Sequence, residues 1–106
     1  MSNIVITDPN LEAAIRDAIS KPAGDILDSD LLGLATLNAS GRGIANISGI
    51  EYCVNLTWLY LSENQIVDVS PLAGLTRLTE LWLYNNQIVD VSPLAALRDS
   101  GCEIYF

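Results

Sequence analysis

The hydrophobic positions in the second half of the chain recur with a fixed period. Residues 56–77 read LTWLYLSENQIVDVSPLAGLTR and residues 78–99 read LTELWLYNNQIVDVSPLAALRD, so the copies begin 22 residues apart. Residues 34–55 form a degenerate earlier copy, and residues 102–106 begin another with the alternation shifted by about one residue. A period of this length predicts a solenoid of stacked coils.

Each repeat begins with a strand signal. The segment L-x-L alternates apolar and polar residues with period two, which is typical of a short strand with one buried face. Successive coils are expected to pair these strands into a parallel sheet, because a single coil cannot bury its own apolar face. The leucines predicted to point inward are Leu59, Leu61, Leu81 and Leu83.

An asparagine follows each strand where the chain turns away from the sheet. The side-chain amides of Asn64 and Asn86 are predicted to bond backbone groups of neighbouring coils as an internal ladder. Arg42 stands in the equivalent slot of the first coil. The turn of that coil must therefore be satisfied in a different way.

A Ser-Pro pair then marks the opposite, convex side of each coil. Residues 70–71 and 92–93 indicate a capping serine followed by proline at the first helical position. Only a short element fits before the next strand, so 3₁₀ or one-turn helices are predicted. The apolar residues expected to fill the core from this side are Ile66, Val69, Leu72, Leu75, Ile88, Val91, Leu94 and Leu97.

The segment before the repeats has a helical pattern instead. Asp8 and Pro9 supply a cap and a first-turn proline, and apolar residues follow at helical spacing until Gly24 ends the pattern. Residues 28–30 give a second capping signal. We interpret residues 5–33 as a helical cap over the open end of the core, since end coils of a solenoid need such protection.

The repeat unit with N-Q-I-V-D-V-S-P-L resembles bacterial leucine-rich-repeat proteins of the internalin-like type. D-P-N-L-E-A-A-I-R-D-A-I and G-I-E-Y-C are similar to the cap that precedes their repeats, so the resemblance covers roughly residues 5–106. It implies an α/β repeat fold: a right-handed solenoid with a parallel sheet on the concave side, short helical turns on the convex side and a helical N-terminal cap. It also implies that the concave sheet binds macromolecules, commonly proteins, in a secreted or surface-attached protein.

The predicted organisation is one continuous folding unit. Residues 1–33 form the N-terminal helical cap, and residues 34–106 form about three coils and a terminal strand. If the chain is complete, the lack of a signal peptide predicts a cytoplasmic location. If it was excised from a longer internalin-like protein, a secreted or cell-surface location is expected.

Strand side chains between the leucines are predicted to face solvent on the concave sheet, here called the concave face. Tyr60, Trp82 and Tyr105 are expected to stack as a ladder across it. Exposed tryptophan and tyrosine are common binding anchors, and carboxylates beside them favour a basic or neutral protein or peptide. The candidate partner-binding residues are Trp58, Tyr60, Glu80, Trp82, Tyr84, Glu103 and Tyr105. Two alternatives stay open: the rings only stabilise cross-strand packing, or they stack against glycans, which the sequence favours less than peptides.

The C-terminal edge is a second candidate surface. A terminal strand with no coil beyond it is expected to expose backbone groups and apolar side chains that recruit another strand. The predicted self-association edge, which implies a homodimer or larger assembly, consists of Leu97, Cys102, Ile104 and Phe106. The alternative is that a further coil follows in the source protein.

Composition narrows the function classes. Thirteen acidic and five basic residues give a net charge of −8, which disfavours nucleic acid and anionic membranes as partners. The alternative interpretation is that this charge only keeps the protein soluble. The absence of histidine removes the imidazole base of Ser-His and Cys-His pairs, so no enzyme is predicted.

Neither a metal nor a cofactor is predicted. Aspartates 25, 28 and 30 lack the spacing of a calcium loop and are better explained as helix caps, and the recurring Asp68 and Asp90 as turn formers. No glycine-rich phosphate loop is present. The two cysteines lie in the apolar pattern and far apart in sequence, which predicts two free thiols.

Overall fold

Short strands and helical turns alternate along the chain in the computed structural model, which describes residues 3–106. The helices are α1 (Pro9–Ile19), α2 (Asp28–Leu32) and α3 (Ala95–Asp99); the 3₁₀ turns are Ile50–Tyr52, Ser70–Leu72 and Ser92–Leu94; and the strands are β1 (Thr36–Asn38), β2 (Trp58–Tyr60), β3 (Glu80–Trp82) and β4 (Glu103–Tyr105). Among the described residues, no helix has the length and apolarity that crossing a bilayer requires.

The strands form one parallel sheet in the order β1-β2-β3-β4. Leu37, Leu59, Leu81 and Ile104 lie in register as a single column. The three leucines are almost completely buried, whereas Ile104 is half-buried. The predicted parallel sheet is therefore confirmed, including the one-residue shift that brings Tyr105 into register with Trp82.

The convex side of the core follows the repeat up to the last coil. Ile66, Val69, Leu72 and Leu75 are buried together, as predicted. In the next coil Leu94 and Leu97 are buried, but Ile88 is half-buried and Val91 is 40% exposed, so full burial of those two residues was wrong. The described chain adds β4 beyond this coil but no further convex turn to cover them.

The asparagine ladder is confirmed at atomic detail. The Asn64 Oδ1 atom accepts hydrogen bonds from the backbone N–H groups of Arg42 and Ile44, both at 3.0 Å. Its Nδ2 atom donates to the carbonyl groups of Ala39 and Leu61 at 3.0 and 2.9 Å, with a longer contact to a third carbonyl. Asn64 thus serves the turn of the first coil, which has no ladder asparagine of its own.

Arg42 has a different partner, on the cap. Its guanidinium Nη2 atom lies 3.2 Å from the Asp17 carboxylate of α1. The slot that holds asparagine in later coils therefore carries an ion pair between the first coil and the cap. Because the side chains of this pair are 36% and 71% exposed, its contribution to stability is small.

The Ser-Pro pairs begin 3₁₀ turns, but the serines do not cap them. No side-chain capping bond is present at either turn. Instead Asp68 and Asp90 accept hydrogen bonds from the backbone N–H groups of Ser70 and Ser92, at 2.8 and 2.9 Å. The prediction of a capping serine was therefore wrong. The aspartate two residues earlier, and not the serine side chain, accepts the hydrogen bond at the start of each turn.

The cap joins the first coil through Asp8. Its Oδ1 atom accepts from the backbone N–H groups of Asn10 and Leu11 and so caps α1. Its Oδ2 atom accepts from the backbone N–H groups of Ala45 and Asn46 in the first coil, at 2.9 and 3.0 Å. A single carboxylate therefore closes the helix terminus and holds it against the solenoid.

Burial by itself would raise the pKa of the Asp8 carboxyl group, but the four backbone N–H donors lower that pKa below its ordinary value. A lowered pKa in the folded state means that the stabilisation is present above the unfolded pKa of about 3.9 and is lost as the pH falls through the folded value. The ionised carboxylate thus supports the fold at neutral pH and weakens it in acid.

Asp8→Asn is expected to lower the free energy of unfolding at pH 7 by about 1–3 kcal/mol, because an amide has only one oxygen for the four donors. Urea unfolding of the wild type and of the variant, between neutral pH and pH about 3, measures the difference in their free energies of unfolding. This difference should shrink in acid as Asp8 becomes protonated. Asp25→Asn, at an exposed position, is the control. A difference that stays constant with pH would contradict the role assigned to the charge.

Candidate binding face

The outward positions of the sheet form two parallel columns. Thr36, Trp58, Glu80 and Glu103 are in register in one column, and Asn38, Tyr60, Trp82 and Tyr105 in the other. Side chains alternate between the faces of a strand, so both columns lie opposite the buried leucines. No enclosed cavity was found among the described residues, so the candidate site is an open surface.

Aromatic rings run across three adjacent strands. The ring centroids of Tyr60 and Trp82 lie 6.0 Å apart at an interplanar angle of 29°, and those of Trp82 and Tyr105 lie 4.0 Å apart at 20°. Tyr84 meets Trp82 edge-on at 6.3 Å. The predicted stacked ladder is therefore present, with Trp82 in its centre.

Trp58 differs from Trp82 although both occupy outward positions. Trp82 is half-buried and its Nε1 atom donates a hydrogen bond to the Glu80 Oε1 atom at 3.1 Å. Trp58 is 45% exposed, and no ring contact or hydrogen bond of its indole is present among the described residues. The two tryptophans occupy different positions of the repeat, since Trp58 is in register with Glu80 and Trp82 with Tyr60.

Carboxylates border the ladder without cationic partners. Glu103 accepts a hydrogen bond from the Tyr105 hydroxyl group, which raises the pKa of that phenol. The ion pairs in the described part of the chain all involve cap residues or Arg42, and none involves Glu63, Glu80 or Glu103. The acidic charge of the concave face is thus not neutralised from within residues 3–106.

One neighbouring position does not fit the expectation for the concave face. Ser62 follows Leu61, so the alternation predicts that it faces solvent, but it is 2% exposed and its Oγ atom has no hydrogen-bond partner among the described residues. Tyr84, the corresponding residue of the next coil, is 38% exposed. The alternation therefore does not hold at Ser62, shortly after β2.

The predicted self-association edge is mostly beneath the surface. Leu97 on α3 is fully buried and Cys102 is 6% exposed, so exposure of these two residues was wrong. Ile104 is half-buried, whereas Phe106 is 54% exposed. The Arg98 guanidinium group lies 5.9 Å from the centroid of the Phe106 ring.

Both cysteines are free thiols in the described structure, as predicted. Burial, together with the nearby charge of Glu51, raises the pKa of Cys53 to about 12. Burial and the charges of Glu103 and Glu80 also raise the pKa of Cys102. Since the thiolate is the reactive form of cysteine, both shifts lower the reactivity of these thiols at neutral pH.

Comparisons with known proteins match the repeats and the cap. A family model for leucine-rich repeats in two copies matches residues 54–96. Internalin H of Listeria monocytogenes is 41% identical over 66 residues, which are 60% of this chain and 12% of the relative. The crystal structure of the L. monocytogenes internalin InlF superposes with a TM-score of 0.91 and 36% identity, over 96% of this chain and 30% of that one.

The chain is a leucine-rich-repeat protein of the internalin-like type. Internalin C2 of L. monocytogenes is also similar, with a TM-score of 0.72 and 31% identity over 99% of this chain and 59% of its own. This internalin-like chain spans about one eighth of the length of internalin H. It corresponds to under a third of the InlF chain.

Sequence reasoning missed the Asp8 contact that locks the internalin-like cap onto its first coil. The segment D-P-N-L indicated a helix cap, and that part is confirmed by the bonds from Asn10 and Leu11. Nothing in the local pattern pointed to Ala45 and Asn46, which lie 37 and 38 residues away. Only the three-dimensional approach of the cap to the coil reveals the second role of this carboxylate.

Proposed function

We propose that this chain is a non-enzymatic module that holds a protein or peptide on its concave face. The observation that carries the proposal is the aromatic surface on an open sheet: three stacked rings, flanked by the exposed Trp58 and Tyr84. Such residues bury a large area at low entropic cost when a partner docks. The proposed contact residues are Trp58, Tyr60, Glu80, Trp82, Tyr84, Glu103 and Tyr105.

The chemistry of the surface favours a basic or neutral partner. Unpaired carboxylates border the rings, and the whole chain carries a net charge of −8. Charge complementarity raises association rates and excludes acidic competitors. The similarity to internalins supports the same class of function, and on that resemblance we place the chain within a secreted or surface-attached bacterial protein.

Trp58→Ala is expected to abolish capture of the partner while shifting the melting temperature by no more than about 2 °C, since surface substitutions cost little. Trp58 has no ring partner among the described residues, so its removal leaves the ladder intact. The measurement is a pull-down from candidate host or environmental protein extracts, with identification of the captured protein and thermal unfolding of the same samples.

Tyr52→Ala is the matched control. Tyr52 is an aromatic residue with 48% exposure, but it lies on a 3₁₀ turn of the convex side. Its loss is expected to leave capture unchanged. If Trp58→Ala retains the partner, or if both variants lose it equally, the concave face is not the binding surface.

Two alternatives make different demands. Self-assembly would use the side of β4 that pairs with no strand among residues 3–106, with Phe106 exposed beside it. Sedimentation that shows a monomer at high concentration would remove this alternative. Glycan stacking on the rings would survive high salt and require no basic group on the ligand.

A further inference from the structure

We propose that the concave face contains an arginine subsite, formed by the carboxylates of Glu80 and Glu103 and the indole ring of Trp58. The occupant is an arginine side chain on an extended segment of the partner. This inference rests on the proposed function and adds the chemical identity of the group that the face selects.

The pairing of β3 with β4 places the two carboxylates next to each other. Glu80 and Glu103 are in register on β3 and β4, which are adjacent parallel strands. Adjacent strands lie about 4.8 Å apart, and like charges directly opposite one another are unfavourable. Hydrogen bonds from the Trp82 indole and the Tyr105 hydroxyl group hold each carboxylate toward the stacked rings. The two carboxylates are therefore held in place beside the rings, and their like charges repel each other.

No cation of the described chain relieves this repulsion. The five basic residues are Arg16, Lys21, Arg42, Arg77 and Arg98. The first three form ion pairs at the cap and Arg98 lies over Phe106, while Arg77 forms no ion pair in residues 3–106. Each carboxylate uses one acceptor position on its ring donor and retains others. A cation from outside would find two acceptors with free positions.

Trp58 supplies an independent part of the subsite. It is in register with Glu80 on the strand on the other side of β3 from Glu103, so the three residues form one row. Its ring is 45% exposed and unstacked among the described residues, in contrast to the Trp82 ring. An indole face attracts a cation, and a guanidinium group stacks on it in a planar arrangement.

The geometry favours arginine over lysine. The planar guanidinium group has five N–H donors, can reach two carboxylates from a fork and can lie flat on an aromatic ring at the same time. An ammonium group is a strongly hydrated point charge and does not satisfy both requirements. An extended backbone fits an open row of side chains, since no enclosed cavity is present among the described residues.

The test is a titration of the full chain with a capped pentapeptide that carries one central arginine between glycines, followed by ¹⁵N NMR through the indole N–H signals of Trp58 and Trp82. The lysine version of the peptide keeps the positive charge but lacks the planar guanidinium group. The citrulline version keeps a planar group of similar shape but lacks the charge. The Trp58 indole signal is expected to shift with the arginine peptide. The citrulline peptide, which lacks the charge, is expected to bind at least about tenfold more weakly.

The variant Glu80→Gln with Glu103→Gln should weaken binding of the arginine peptide by about tenfold or more, because it removes both acceptor charges. Asp25→Asn with Asp99→Asn is the matched control: it changes the net charge by the same amount at exposed positions outside the concave face. That control is expected to bind like the wild type. Circular dichroism checks that each variant retains the wild-type fold.

Three results would overturn the arginine subsite: no shift of the Trp58 signal, equal binding of the citrulline peptide, or equal losses in the two double variants. These results do not decide whether the concave face binds a partner, which the Trp58→Ala experiment tests. If a captured partner depends on Trp58 but tolerates Glu80→Gln with Glu103→Gln, the binding face stands and the arginine subsite falls.

Discussion

Replacing Asn64 with alanine is expected to lower the free energy of unfolding by more than about 3 kcal/mol, because each unsatisfied buried polar group costs about 1–3 kcal/mol. The side chain accepts from the N–H groups of Arg42 and Ile44 and donates to the carbonyl groups of Ala39 and Leu61. Asn64 itself is 5% exposed, so water cannot readily replace these bonds. Urea unfolding followed by circular dichroism measures the loss.

Asn86→Ala provides the matched comparison within the same ladder. Asn86 accepts from Ile66 and donates to the carbonyl groups of Leu61 and Leu83, but it is only half-buried. We expect this variant to lose clearly less stability than Asn64→Ala, because water can reach part of the ladder at this level. Equal losses in the two variants would show that the ladder contributes uniformly and that burial does not set its strength.

Truncating Leu81 to alanine is expected to cost about 2–5 kcal/mol, as for other fully buried leucines. Leu81 occupies the inward column between Leu59 and Ile104 and has no exposed surface. A domain of this size has a total stability of about 5–15 kcal/mol, so the variant is expected to lie close to the unfolding threshold. Thermal and urea unfolding measure the shift.

Leu32→Ala is the control for loss of a leucine as such. Leu32 lies at the end of α2 and is 49% exposed, so its truncation removes little buried surface. We expect a change within about 0.5 kcal/mol, the usual range for surface substitutions. Comparable losses for Leu32 and Leu81 would contradict the assignment of Leu81 to the core between the coils.

The alternation L-x-L predicted the buried and exposed sides of β2 and β3 correctly. Leu59 and Leu81 are buried, and Trp58 and Tyr105 lie on the opposite face. The prediction succeeded because a fixed repeat places equivalent residues of successive strands in register. The inward positions of one strand therefore predict those of the next. The repeat pattern failed on the convex side, at Val91, because no further convex turn of the described chain covers this residue.

The candidate site was predictable as a set of positions but not as a set of interactions. The spacing brought Tyr60, Trp82 and Tyr105 into one column, and the structure confirms it. The hydrogen bond from Trp82 to Glu80 on the same strand, and the absence of such a bond at Trp58 among the described residues, depend on the rotamers of these side chains. A periodic pattern contains no information about rotamers.

By itself, the sequence determined the solenoid, the inward leucines and the asparagine ladder, because these features follow from a period that repeats along the chain. The tertiary structure alone decided how the non-repeating parts meet it. It placed the Asp8 carboxylate on the first coil, made Asn64 serve the turn that Arg42 leaves open, and buried Cys102. Those contacts join residues without a shared period, so only the packing of the cap and of the last coil could define them.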